Sequence, residues 1–500
     1  MDIHDVYKPL RNQLRRLALR ESLERIWWLQ RRANSGGQII LLGAGGQRYE
    51  IHVWELHLLS REILLHAGGN EDLLSTLNGV LTFINHIRRI DEAISERTID
   101  SGDRAMDSLH PLVHLQVRCQ HPNHGAAIFR AYHIYGAPDV APMVEKAVGL
   151  PVPVIFTLAL ILGGAAIRGP YTSPVQDYSA FGVSDEMRDA FFQRIASTPK
   201  GIRTELRVVQ RFDEAWQYTW NALERFPLIH VDVDGTTGLC CPLPDFLFRR
   251  VTEGLFYDVV GSDPHFGDRY GRAFQDYVGK VLGEVFTGER FAVESERTYS
   301  VRKQPRHGVD WIVSDGTGNL FLECKARRMA QPAKEVVDSH ALEASIDDLA
   351  RAVVQHYRNI HDAVQGVSAW MPNGLPIYPV VITYENWYLF TPRVIERLNV
   401  AVKRQLSDKG LSSDLPETMP FLVTSIAEFE KAGQAIAKIG IKRFCTARGL
   451  DEHRHFKLSG FAEVAFPEEE IEYKPLLQTT WRSMFSHVPE VSSQLMSVGI

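Results

Sequence analysis

The sequence predicts an α+β multidomain protein: a mostly helical N-terminal region, a core in the order α-β-β-β-α-β, and a small C-terminal accessory region. Three observations carry this. Five hundred residues exceed what one hydrophobic core normally organises. Apolar residues recur at helical spacing through much of the chain up to about Arg225. Between Gly308 and Arg328, in GVDWIVSDGTGNLFLECKARR, the period falls to two on either side of an Asp315-Gly316 turn, which is the pattern of a β-hairpin. The boundaries drawn are residues 1–225, a connecting hairpin and helix over 226–265, the core over 266–392, and 393–500.

Composition narrows the function classes. With 45% hydrophobic and 23% charged residues the chain is that of an ordinary globular protein. A formal net charge of −6 argues against a protein that coats nucleic acid with its whole surface, so any polyanion site must be local. Such a local excess exists: from Arg297 to Lys334 eight Lys and Arg residues face only Asp310, Asp315 and Glu323. Five cysteines, odd in number and including the adjacent Cys240 and Cys241, argue against a disulfide framework. The first residues lack the apolar stretch of a signal peptide, so a cytoplasmic protein is expected. The uncharged run VPVIFTLALILGGAAI is broken by Pro151, Pro153 and Gly163-Gly164, and reads as a buried core helix without membrane contact.

The N-terminal elements follow in order. Leu10, Leu14, Leu17, Leu23, Ile26 and Trp27 predict helix between Asp5 and Arg32. Gly43-Ala44-Gly45-Gly46 lacks the further glycine of a dinucleotide loop and is followed by a second strand, Tyr49 to Trp54, so a hairpin is expected. No GxxxxGK[ST] element occurs, which removes a P-loop motor from consideration. Glu71 to Glu96 is again helical in pattern. His110, His114, Cys119, His121 and His124 form a zinc-compatible residue set without paired Cys-x2-Cys spacing, so zinc is left open beside ordinary loop histidines. Asp232-x-Asp234 runs into Gly235 and predicts a turn between short strands. Pro242 and Pro244 then lead into a helix from Phe246 to about Tyr257.

In the core, Phe274, Val278, Val281, Leu282 and Val285 predict a helix over Tyr270 to Phe286. A strand is expected from Phe291 to Tyr299, with Glu294 and Glu296 on one face. The hairpin follows, then an amphipathic helix over Ala341 to Val364, then a strand from Pro376 to Tyr384. If the hairpin loop is even and symmetric about Gly316 and Thr317, Asp310 stands directly across from Glu323, with Lys325 on the same face. Directly opposed like charges repel, and a divalent cation beside a lysine is the economical compensation.

Asp310 on one strand and Glu323-Cys324-Lys325 on the next, within this element order, resemble the PD-(D/E)XK phosphodiesterase superfamily, the restriction-endonuclease-like nucleases. The resemblance covers roughly Phe266 to Phe390. It implies a restriction-endonuclease-like core and a metal-dependent nuclease. Asp310, Glu323 and the Cys324 carbonyl would hold Mg²⁺ or Mn²⁺, and Lys325 would orient the attacking water or stabilise the transition state. Gln275 stands where the family commonly has an acid, and with Glu296 and Gln355 is an auxiliary candidate; Gln355 resembles the glutamine of RecB-like members. Arg302, Lys303, Arg306, Arg327 and Arg328 are candidate nucleic-acid contacts. The implied substrate is DNA, with RNA or tRNA the nearest variant. The architecture is similar to that of bacterial defence proteins that act on phage or plasmids, which implies a phage-derived trigger. A catalytically silent nuclease fold that senses nucleic acid or protein is the reading from another class. Separately, Arg61 and His66 have the Arg-x4-His spacing of HEPN-type helical ribonucleases.

Overall fold

The computed structural model describes residues 2–99, 103–120, 124–301, 303–334, 339–389, 391–453, 456–485 and 488. It is an α+β protein that divides into two compact units, Met1–Phe266 with Thr479–Ile500, and Gly267–Gln478.

The first unit opens on two helices where the spacing predicts one. α1 (Ile3–Leu14) starts at an Asp2 cap whose carboxylate accepts the His4 N–H. α2 (Leu19–Gln30) follows a break in which Leu17 bridges to Glu71 and the Ala18 amide donates to the Glu71 carbonyl. Those bonds tie the chain outside both helices, which is why one periodic stripe becomes two elements. β1 (Gln38–Leu42) and β2 (Arg48–His52) pair antiparallel around the glycine turn, as a hairpin and not a nucleotide loop. α3 (Val53–His66) is buried on nearly every side, and Leu56, Leu59, Ile63 and Leu64 lie in one core with residues of α1 and α4 (Leu77–Ile99).

α5 (Val152–Arg168) is the uncharged run; ten of its residues are buried, and no single helix among the described residues is long and apolar enough to cross a membrane. Together with the preceding Ala141–Val148 helix, bent from it by 68°, the pair has the length and composition of a broken span. β3 (Leu228–Val233) and β4 (Thr236–Cys240) meet at a two-residue turn with both Asp234 and Gly235 at positive φ. The Asp232 carboxylate accepts the Gly235 amide, so this Asp-x-Asp builds a turn.

The second unit is built on a mixed five-stranded sheet. α6 (Phe266–Val285) precedes β5 (Ala292–Ser295), a small separate hairpin of β6 (Thr298–Val301) and β7 (Gln304–His307), then β8 (Trp311–Ser314) and β9 (Asn319–Lys325). α7 (Ser339–Val364) crosses to β10 (Ile377–Thr383), and β11 (Leu422–Ser425) forms the far edge. The sheet order is β11-β10-β9-β8-β5; β5, β8 and β9 are antiparallel, while β10 and β11 run parallel to β9.

Two details depart from the expected core. The strand expected over Phe291 to Tyr299 is split: after Ser295 the chain leaves the sheet and pairs with itself, with the Lys303 turn at φ 66°. Beyond residue 392 the chain adds β11 to the same sheet and α8 (Ile426–Ile439) after it, so that segment clusters with the second unit as far as Gln478.

Both faces of β9 are covered, which explains why five of its seven residues are buried. On one face Phe321 meets Trp370 edge-on and packs with Ile360 and Ala363 of α7. On the other, Trp311 donates from Nε1 to the Gln275 carbonyl of α6, and its ring lies where a side chain at Gly279 would sit.

Candidate active site

The loop between β8 and β9 has four residues, Asp315 to Gly318, and the Asp315 side chain organises it. One carboxylate oxygen accepts from the Thr317 amide and hydroxyl and the Gly318 amide; the other accepts the Ile441 amide. Burial pushes this carboxyl up, but that ring of donors overrides it and holds it below the usual range.

The loop is therefore even, and the register is Trp311↔Leu322, Ile312↔Phe321, Val313↔Leu320 and Ser314↔Asn319. On the other side β8 pairs Trp311 with Ser295. Continued by one residue beyond the paired positions, the two registers bring Glu296 and Asp310, each just outside its strand, level with Glu323 of β9. The Glu296 amide donates to the Asp310 carbonyl at 2.8 Å. The Asp310 carboxylate in turn accepts the Cys324 amide at 2.6 Å, in place of a backbone acceptor.

Charge compensation is uneven along this row. Glu323 is 1% exposed; one of its oxygens accepts from Lys325 Nζ at 2.7 Å. Among the described residues its other oxygen, Oε2, has no hydrogen-bond partner; it lies 3.6 Å from His356 Nδ1, too far for a hydrogen bond. Burial raises the Glu323 carboxyl, yet His356 and Lys325 more than offset it, and the net is a lowered pKa. Among the described residues Asp310 forms no ion pair, and Lys325 acts on it only as a weaker, more distant charge. Burial first, and the Glu323 charge second, hold its carboxyl well above the ordinary value. Lys325 is pushed down by burial and up by the carboxylates, and ends higher than usual, so it stays charged. Burial raises the Cys324 thiol, which keeps its proton.

The remaining sequence-selected residues sort by position. Gln275 donates from Nε2 to Glu296 at 3.1 Å, and His307 meets the other Glu296 oxygen at 2.8 Å, so both engage the outer end of the acidic row. Gln355, which helical geometry sets opposite the apolar stripe of α7, is exposed and accepts from Lys325 Nζ at 3.5 Å. Arg302 lies outside the described residues. Lys303 is exposed at the tip of the β6–β7 hairpin. Arg306 is held by Asp362 at 2.7 Å, Arg327 by Asp348, and Arg328 lies buried beside Glu385 and over the Tyr384 ring. Those three guanidinium groups already have partners.

Sequence reasoning missed His356. It is 1% exposed, with Nε2 3.0 Å from the Phe321 carbonyl and Nδ1 turned towards Glu323. Only its place next to Gln355 in VVQHYRN marked it.

Among the described residues, no group of three or more His, Cys, Asp or Glu side chains is placed to hold a metal ion. A hard cation here would rest on the Asp310 and Glu323 carboxylates with backbone, water or phosphate oxygens completing its shell, the usual manner for Mg²⁺. The residues fit that role: the half-buried Asp310 and the buried Glu323 carboxylates lie close enough to perturb each other, and among the described residues one buried oxygen, Glu323 Oε2, is without a hydrogen bond.

The other candidate clusters are dispersed. Cys119 Sγ lies 3.5 Å from His57 Nδ1, His124 pairs with Asp245 at 2.9 Å, His110 and His114 pack against each other, and His121 lies outside the described residues. Arg61 is 1% exposed, bound to Glu62 and to the Thr219 carbonyl. His66 shares the Tyr7 hydroxyl with Glu62, and burial pushes its pKa down to about 4. That pair is part of a packed core.

No family model, no curated protein and no solved structure matches the chain. The functional reading therefore rests on the site's own geometry.

Proposed function

We propose that the chain is a metal-dependent nuclease that hydrolyses phosphodiester bonds, with DNA the favoured substrate and RNA the nearest variant. The observation that carries this reading is the register, which lines up Glu296, Asp310 and Glu323 with Lys325 beside them. The element order α6, β5, β8, β9, α7, β10, with β10 parallel to β9, supports a restriction-endonuclease-like core around that row.

Phosphodiester hydrolysis needs a nucleophile at neutral pH and compensation for the extra negative charge of the transition state. When bound, a hard divalent cation supplies both by lowering the pKa of water and polarising phosphoryl oxygens. Asp310, Glu323 and the Cys324 carbonyl are the groups that would hold it. Lys325, kept charged by Glu323, faces the charge that develops on phosphate and orients the attacking water. Gln355 fixes the position of the Lys325 ammonium group from α7. His356 holds the far side of Glu323.

One observation favours a second reading, a silent nuclease fold that binds without cutting: at the α6 position where an acid is expected, the Gln275 amide donates to Glu296 and brings no charge. The test is incubation of the full chain with plasmid, single-stranded DNA and total RNA in Mg²⁺, Mn²⁺ or EDTA. Metal-dependent cleavage that disappears in Asp310→Ala and Lys325→Ala is the expected result. Cleavage that survives both substitutions overturns the assignment, and binding without cleavage selects the second reading.

A further inference from the structure

The first unit carries a cluster of cations that the proposed active site does not use. It lies at the C-terminal end of α2, in the run Arg25-x2-Trp28-x3-Arg32. The Arg25 guanidinium carbon is 3.9 Å from the Trp28 ring centroid and that of Arg32 is 3.4 Å away. Two guanidinium groups so close to one centroid cannot share a face without overlapping, so the indole lies between them. Arg31 sits over the neighbouring Trp27 at 5.0 Å.

Stacking on an indole stabilises a single guanidinium, and basic groups near a helix C-terminus are favoured by the macrodipole. Those effects account for single arginines. They do not account for three held together with no ion pair among the described residues, the Asp72 carboxylate acting on Arg25 only from beyond salt-bridge distance and less than the repulsion from Arg32. Among the described residues none of Arg25, Arg31 and Arg32 makes an ion pair. The acids of the same helix are engaged elsewhere: Glu21 by Arg20, and Glu24 by the Tyr171 hydroxyl. Among the described residues the buried Arg25 Nε has no hydrogen-bond partner. Arg31 and Arg32 are exposed.

We propose that this surface binds the phosphate backbone of a nucleic acid. Planar guanidinium forks match phosphate oxygens two at a time, and stacking fixes their planes so that less freedom is lost on binding. An anionic membrane fits less well, because the aromatic groups that would enter lipid are withdrawn: both faces of Trp28 are covered, and Trp27 is buried with its Nε1 bonded to the Ala166 carbonyl. The choice of a polynucleotide over another polyanion rests on the nuclease reading.

The test uses the full chain in EDTA, where cleavage is suppressed, and fluorescein-labelled single-stranded DNA, duplex DNA and RNA followed by anisotropy over a salt series. Arg31→Glu/Arg32→Glu alters only exposed side chains and should weaken binding at least tenfold and flatten the salt dependence by about one unit of slope per lost phosphate contact. Arg25→Lys/Arg31→Lys/Arg32→Lys, which keeps charge and removes the planar fork, should keep the slope and lose part of the affinity. An unchanged dissociation constant and slope in the reversal variant overturn the proposal, as does binding to phosphatidylserine vesicles in place of polynucleotide. Nucleolytic cleavage is scored separately with Lys325→Ala. Arginine-dependent binding by a chain that never cuts would sink the nuclease reading and keep this one; cutting with binding indifferent to the arginines would do the reverse.

Discussion

Asp310→Asn tests the electrostatic argument most directly. Asparagine keeps an oxygen for the Cys324 amide and removes the charge opposed to Glu323 and Glu296. Directly opposed side chains lie about 5 Å apart at Cβ. At an effective dielectric constant near 20, two unit charges at that distance repel by about 3 kcal/mol. Burial and the Glu323 charge raise the Asp310 carboxyl, so its contribution to stability is complete below the ordinary carboxylate range and is lost as pH rises through the raised pKa. In EDTA at alkaline pH, Asp310→Asn should therefore be more stable than the parent by about 2 kcal/mol, a rise in midpoint of roughly 4–8 °C for a unit of this size. In acid the two proteins should melt together. Mg²⁺ should raise the midpoint of the parent and leave that of the variant nearly unmoved. Thermal melts by circular dichroism at both pH values, with and without Mg²⁺, read all of this. Equal parent and variant midpoints at alkaline pH in EDTA, or equal Mg²⁺ shifts, would refute the charge-row account.

Three further outcomes follow from the same geometry. Lys325→Ala leaves Glu323 buried without its closest cation; it should lower stability by about 2–3 kcal/mol in denaturant unfolding and, under the nuclease reading, lower kcat by about 10²–10³. Gln355→Ala removes only the 3.5 Å contact to Lys325 Nζ from an exposed position, so the midpoint should not move while kcat falls by about tenfold. Gly279→Ala would place a methyl 2.2 Å from the Trp311 ring; the overpacking should cost about 1–3 kcal/mol and part Trp311 from the Gln275 carbonyl, visible as a shift in tryptophan fluorescence.

Mg²⁺ binding should also release protons. Under the nuclease reading Asp310 would give up its proton to the cation, so calorimetric titrations in buffers of different ionisation enthalpy should report a net proton release that shrinks as pH rises. The same titration on Asp310→Asn should show no such release.

The sequence by itself determined the hairpin, and its register on the condition that the loop is even, a condition the structure met. The Asp315-Gly316 turn and period-two alternation are local signals, and an even loop then requires Asp310 to stand across from Glu323, because partner positions in a β-ladder sum to a constant. The helices on either side were equally legible, since a sustained apolar stripe is a property of the chain. What only the tertiary structure decided was everything set by non-local pairing. The expected first strand broke after Ser295 because Thr298–Val301 found a partner in Gln304–His307. Gln355 reaches Lys325 although local helical geometry turns it away from the apolar stripe, and His356 faces Glu323, because the crossing of α7 over the sheet sets which side chains arrive there. Arg306, Arg327 and Arg328 read as open cations in sequence, yet each meets a carboxylate from a distant segment. Charge partners across such separations leave no periodic trace in the chain, whereas Arg25, Trp28 and Arg32 stack at spacings of three and four that the helix itself prescribes.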